Sequence, residues 1–131
     1  MYVFGGKTKE KNSPTNDLWV LRINRKQLEW IKPDVAGVPP SPRCGHSMNY
    51  YEPRNFIVVH GGMNDINIDS FAFNDMYILD LTRLEWNEVK LSSNKPENLV
   101  VQKRYGHQAQ INCKILLICL RWKIGYLRRN E

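Results

Sequence analysis

Phe56-Ile57-Val58-Val59-His60 is apolar at odd and even positions alike and rich in β-branched side chains, which predicts a strand covered on both faces. Met76-Tyr77-Ile78-Leu79-Asp80-Leu81 reads the same way. Gly45 to Tyr51 starts small and polar and turns aromatic, which suits a strand that begins in a crowded place near an axis. Leu84-Glu85-Trp86-Asn87-Glu88-Val89 is mixed, with Leu84, Trp86 and Val89 apolar, so one edge meets water. No window carries helical periodicity, and Gly, Pro and Asn punctuate throughout. The pattern predicts an all-β chain with four antiparallel strands between residues 43 and 90.

The same pattern occurs more than once. Gly5-Gly6 returns as Gly61-Gly62, and Trp30 returns as Trp86, both after 56 positions. Asn16-Asp17-Leu18-Trp19 returns as Asn74-Asp75-Met76-Tyr77, and Arg43-Cys44-Gly45-His46 returns as Arg104-Tyr105-Gly106-His107. Glycine to tryptophan is 25 positions in both copies, while the spacing within shifts by two. Fixed strands with variable connections describe one supersecondary unit used repeatedly. Four-stranded sheets packed face to face around an axis make a β-propeller. A diglycine after a buried strand marks close backbone approach, expected here beside Trp30 or Trp86.

The ordered set resembles the kelch repeat: Val3-Phe4-Gly5-Gly6, Asn16-Asp17-Leu18-Trp19, Trp30, Pro42-Arg43-Cys44-Gly45-His46-Ser47, Val59-His60-Gly61-Gly62, Asn74-Asp75-Met76-Tyr77, Trp86 and Arg104-Tyr105-Gly106-His107. The resemblance covers residues 2–111. It implies kelch-type propeller blades in an incomplete ring, with the third-strand aromatic (Trp19, Tyr77) and the fourth-strand Trp packing within a blade. Residues 1–32 read as strands two to four of one blade, 43–90 as a complete blade, 104–119 as the start of a third, and 120–131 as a divergent basic tail. Ile115 to Ile118 aligns with Phe56 to Val59, but no diglycine follows. A fragment of a larger propeller is preferred over assembly from several copies or a tail folded back as a cap; the apolar strand Ile115 to Trp122, otherwise exposed, predicts poor solubility or self-association, for which exposed blade faces are the expected surfaces.

Charge alters this picture little. The net charge of +6 splits into +2 over residues 1–113 and +4 over residues 114–131, so the basic balance belongs to the tail. A solvated basic end is preferred to a nucleic-acid or membrane partner. Cys44, Cys113 and Cys119 form no metal-spaced pair, and the opening Tyr2-Val3-Phe4 does not read as a signal peptide, so none is expected. Reduced thiols in a cytoplasmic setting are therefore expected. The longest apolar run, Ile115 to Leu120, is too short to span a bilayer.

Candidate chemistry is sparse. His46 and His107 share one slot of the repeat and His60 precedes a diglycine, which favours structural histidines over a metal site. Ser47 has no nucleophile elbow around it, and its slot is Gln108 in the next copy. Asp65 with Asp69, and Glu85 with Glu88, read as solvated acids. No catalytic residue, metal or cofactor is expected. Met63 to Phe73 reads as a loop of 11 residues carrying five large apolar side chains, and loops on rigid scaffolds carry binding. In kelch propellers the loops between strands two and three, here 7–15 and 63–73, and the connections 33–42 and 91–103 commonly line the partner face. The expected function is a non-catalytic protein–protein interaction module, with Met63, Asp65, Asp69, Phe71 and Phe73 as candidate contacts. The alternative is the propeller part of an enzyme or of an enzyme-linked regulatory protein.

Overall fold

The computed structural model describes residues 1–10, 12–66, 69–90, 102–112 and 116–120. Regular structure among them is strand apart from one 3-10 turn, Glu52–Arg54. No helix among the described residues is long and apolar enough to cross a membrane.

The first sheet holds β1 (Tyr2–Phe4), β2 (Leu18–Ile23) and β3 (Leu28–Ile31), antiparallel in chain order. The second contains the four predicted strands, β5 (Ser47–Tyr51), β6 (Phe56–His60), β9 (Met76–Asp80) and β10 (Glu85–Glu88), again antiparallel neighbours. A fifth strand that the patterning did not predict, β4 (Ala36–Gly37), pairs parallel to β10, Glu85 opposite Ala36 and Trp86 opposite Gly37. The outer edge of the fourth strand is therefore partly paired and not left to water. Gly37 makes this approach possible: at φ +80° an added Cβ would lie 2.3 Å from the Trp86 carbonyl oxygen.

Two further ladders complete the described strands. Residues 63–73 are not an irregular loop: β7 (Met63–Ile66) and β8 (Asp69–Ala72) form a hairpin, with Asn64 opposite Phe71 and Asp65 opposite Ser70. Local patterning predicts a loop here because the short apolar alternation lies beyond a glycine pair and carries many polar residues. In the last ladder, β11 (Gln108–Asn112) pairs with β12 (Leu116–Leu120). Gln108 faces Leu120 as Ser47 faces His60, so Leu116–Leu120 matches Phe56–His60. The sequence alignment of 115–118 with 56–59 is thus one residue out, because an unbroken apolar run offers no internal landmark for register. Residues 121–131, most of the basic tail, and 91–101 of the last connection lie outside the described residues.

The core joins the first two sheets. Val59 and Leu79 are fully buried, and Ile57, Phe4, Leu18 and Trp86 nearly so, with Tyr2, Val35, Met48, Tyr77 and Leu81 packed against them. Each large side chain buried this way contributes about 1.5–3 kcal/mol. Phe4, from the first sheet, lies 5.1 Å from the Trp86 ring in the second. The described strands form stacked antiparallel sheets that do not close a ring.

Gly37→Ala should lower stability by about 1–3 kcal/mol, since it combines a positive φ with a backbone clash. Urea unfolding would register it as a lower midpoint, and an unchanged midpoint would show that the β4–β10 pairing is dispensable.

Candidate functional site

Both diglycine turns are built identically. Gly5 N donates to Asp17 O (3.0 Å), Gly6 N to Arg43 O (2.8 Å), Thr15 N to Gly6 O (2.9 Å) and Arg43 N to Thr15 O (3.1 Å). One repeat later, Gly61 N donates to Asp75 O (3.2 Å), Gly62 N to Arg104 O (2.8 Å), Phe73 N to Gly62 O (2.8 Å) and Arg104 N to Phe73 O (3.0 Å). A Cβ on Gly5 would sit 2.6 Å from Arg43 O, and one on Gly61 2.7 Å from Arg104 O. The close neighbour of each diglycine is thus the backbone of the next arginine, not Trp30 or Trp86 as expected.

Arg43 crosses this seam. Its backbone is held by the first sheet, and its fully buried side chain reaches into the second. Nη1 and Nη2 donate to the two Asp75 carboxylate oxygens at 2.6 and 2.8 Å, Nη1 also to Gly61 O at 2.9 Å, and Nε to Ser41 O at 3.0 Å. The guanidinium lies 4.1 Å above the Phe73 ring and 5.7 Å from that of Tyr77. A bidentate fork with this many partners offsets the cost of removing the charge from water.

The histidines line the same seam. His46 contacts Phe4 edge-on at 5.5 Å, and His107 contacts His60 edge-on at 5.3 Å, the same pairing one repeat on. Burial lowers His46 to about 4, helped by the Arg43 cation and His107. Burial likewise lowers His107 to about 4, helped by His60 and Arg104. His60 is lowered chiefly by burial, against the hydrogen bond between its Nδ1 and Asp75 O. His107 Nε2 lies 3.0 Å from Ser47 Oγ, and that hydroxyl is 3.4 Å from His60 O. The pair resembles a nucleophile and its base, but His107 Nδ1 has no partner among the described residues, so no acid orients the ring. Ser47 acts as a tie between inner strands. Among the described residues, no group of three or more His, Cys, Asp or Glu could hold a metal ion.

The candidate contact residues fall into two kinds. Phe71 is 52% exposed and meets Phe73 edge-on at 5.1 Å. Phe73 itself supports the Arg43 guanidinium, a packing task the sequence reading weighed but could not assign. Asp65 is ion-paired with Lys7, joining the 7–15 connection to the 63–72 hairpin. Met63 is half-buried and shares both its backbone hydrogen bonds with Cys44. Asp69 pairs with Ile66 in the hairpin, and its side chain lies outside the described part. The Cys44 thiol is free and pushed up by burial and by Asp65, which keeps it protonated and unreactive. The Arg43–Asp75 lock was missed, although its signal was present: the arginine recurs as Arg104 and the aspartate as Asp17.

A four-stranded antiparallel unit stacked on a three-stranded one, with diglycine turns and an arginine-bearing seam between them, defines β-propeller blades. The KLHDC2/KLHL20/DRC7 Kelch-repeats domain matches residues 1–119, and the chain belongs to the kelch-repeat family. It is 32% identical over 120 residues to Tip elongation aberrant protein 1 of Schizosaccharomyces pombe, covering 92% of this chain and 9% of that protein. It is 32% identical over 96 residues to Dynein regulatory complex subunit 7 of Chlamydomonas reinhardtii, covering 73% and 8%. It is 34% identical over 97 residues to the Rho GTPase-activating protein gacHH of Dictyostelium discoideum, covering 74% and 6%. The chain thus spans less than a tenth of these relatives' length.

Arg43→Ala leaves Asp75 without its buried partner and should cost about 3–5 kcal/mol. Removing the exposed Arg22–Glu29 pair, 3.6 Å apart, should change stability by less than about 1 kcal/mol. Chemical denaturation of Arg43→Ala beside Arg22→Ala separates the two, and equal costs would refute the lock.

The histidines set a pH window. Their folded pKa values lie below the unfolded value near 6.5, so the unfolded chain binds more protons in acid. Stability should be flat above about pH 7 and fall from about pH 6.5 towards 4, by on the order of 5 °C or more in Tm. Thermal melts across that range check it, and a Tm constant down to pH 4.5 would contradict it.

Proposed function

We infer that the chain is a non-catalytic protein–protein interaction module of kelch type, acting in the cytoplasm as part of a larger propeller. The face carrying the 7–15 connection and the 63–72 hairpin holds the partner, with Met63, Asp65, Asp69, Phe71 and Phe73 at or beneath it. The observation that carries this reading is the hairpin itself. It presents a large aromatic, Phe71, to solvent on a paired backbone tied to the neighbouring connection by Lys7–Asp65. A rigid, exposed aromatic loses little conformational entropy on contact, the property that concentrates binding energy in such residues. Nucleic acid and membrane play no part in this reading, and neither does a cofactor. The exposed blade faces also associate with further copies.

A second reading places these blades as the regulatory part of an enzyme. The names of relatives favour it: one is a Rho GTPase-activating protein and another, 32% identical over 119 residues, a probable serine/threonine-protein kinase of Dictyostelium discoideum.

Phe71→Ala should leave Tm within a few degrees of the parent and remove proteins captured by the immobilised chain. Phe73→Ala should instead lower stability by about 1–3 kcal/mol, through lost packing under Arg43. Quantitative affinity enrichment with both variants and Arg22→Ala as control tests this. An unchanged capture profile for Phe71→Ala would remove the hairpin from the binding face.

A further inference from the structure

Val38-Pro39-Pro40-Ser41-Pro42 joins β4 to the Arg43 lock. A proline fixes its own φ at about −65° and keeps the residue before it out of the helical region. Pro39, Pro40 and Pro42 therefore hold all five residues in extended, polyproline-like backbone, and none of the five has a positive φ. The stretch is held on either side. Gly37 lies opposite Trp86, Arg43 N donates to Thr15 O, and Arg43 Nε donates to Ser41 O. The chain bends at Pro42, where the stretch ends.

Burial divides the five residues. Pro40 is fully buried, Val38 is 77% exposed, Pro39 and Ser41 are exposed, and Pro42 is half-buried. Two X-Pro steps, Val38-Pro39 and Ser41-Pro42, thus face outward on either side of one proline that faces the protein. The sheets on both sides of this connection belong to the chain, so its exposure does not come from where the sequence begins or stops. Pro42 is part of the repeat and Pro40 packs inward. Folding asks little of Val38, which is more exposed than any other large apolar side chain among the described residues. The corresponding connection, residues 91–103, contains a single proline, Pro96, so the paired X-Pro steps are not a requirement of the repeat.

We propose that Val38 to Pro42 is a docking ridge for a partner domain that carries an aromatic-lined groove and reads polyproline segments. Pro39 and Pro42 stand three positions apart, one turn of a polyproline helix, and each X-Pro step fills one slot of such a groove while the residue between them points away. Here the residue between them is the one seated on the protein. The ridge is fixed before contact, so little conformational entropy is lost on binding. Arg43 follows the second step, but its guanidinium is committed to Asp75 and buried, so the ridge offers the groove no cation. The contact is therefore apolar and aromatic. It lies outside the hairpin that carries Phe71 and does not rest on the reading given to that residue.

Fluorescence-polarisation titrations of purified, labelled WW and SH3 domains test this, using the whole chain, Val38→Asp, Pro39→Ala, Phe71→Ala and a linear peptide of residues 35–45. At least one domain should bind the whole chain no more weakly than it binds the peptide. Val38→Asp and Pro39→Ala should each weaken that binding about tenfold or more, through loss of the first slot's apolar contact. Val38→Asp should melt within a few degrees of the parent, which separates lost contact from lost fold. Affinity should change less than about threefold between roughly 50 and 300 mM salt, because no charge pair holds the complex. Phe71→Ala should bind like the parent. A panel in which no domain binds the chain overturns the proposal, whether or not the peptide binds. Equal binding by Val38→Asp overturns it as well. A loss confined to Phe71→Ala overturns the ridge and leaves the hairpin as the binding face.

Discussion

The buried fork between Arg43 and Asp75 is the interaction on which the arrangement of the sheets depends. Its backbone belongs to one blade and its guanidinium to the next, so it converts two marginal sheets into one packed body. The diglycine makes this possible, because the arginine carbonyl passes where any side chain would stand. Once the arginine is placed, Phe73 and Tyr77 have a cation to pack against, and His46 is held beside Phe4 with its proton withheld. A lock of this kind buries a charge and is strong only while both halves are present.

The histidines and Ser47 show how a seam imitates a catalytic centre. They are buried, close together and displaced from ordinary proton affinity, all properties of active sites. Yet each shift follows from burial and from neighbouring cations that belong to the repeat, and the one hydroxyl contact ties two inner strands. The same pairing occurs one repeat earlier with Phe4 in place of His60, so packing, not reactivity, explains the ring pairs.

The strands and the family were legible in the sequence because burial on both faces leaves unbroken apolar runs and the repeat supplies its own alignment. The hairpin at 63–72 was not legible, since local alternation cannot say whether a polar segment finds a partner strand. Neither was β4, two residues whose pairing is decided by Gly37 lying against a distant Trp86. The one-residue shift of β12 has a similar cause: Ile115 to Leu120 looks alike in either register. Trp30 and Trp86 are the sharpest case. They are equivalent by sequence, yet one is exposed and the other buried, because burial depends on the neighbouring blade and not on the residue.

The connection from β3 to β5 is fastened at both ends, by Ala36-Gly37 against the outer strand and by Arg43 at the inner turn. Such a segment behaves as a strap of fixed length: an added residue between the two anchors would have to bulge or release one of them. The connections after the glycine pairs are fastened at their base, Thr15 to Gly6 and Phe73 to Gly62, so a residue added towards the tip releases neither anchor, and they differ in length between the copies already. Growth of new sequence is thus channelled to a single side of the molecule, and the blades can diversify what they meet there while the stacking of the sheets stays the same.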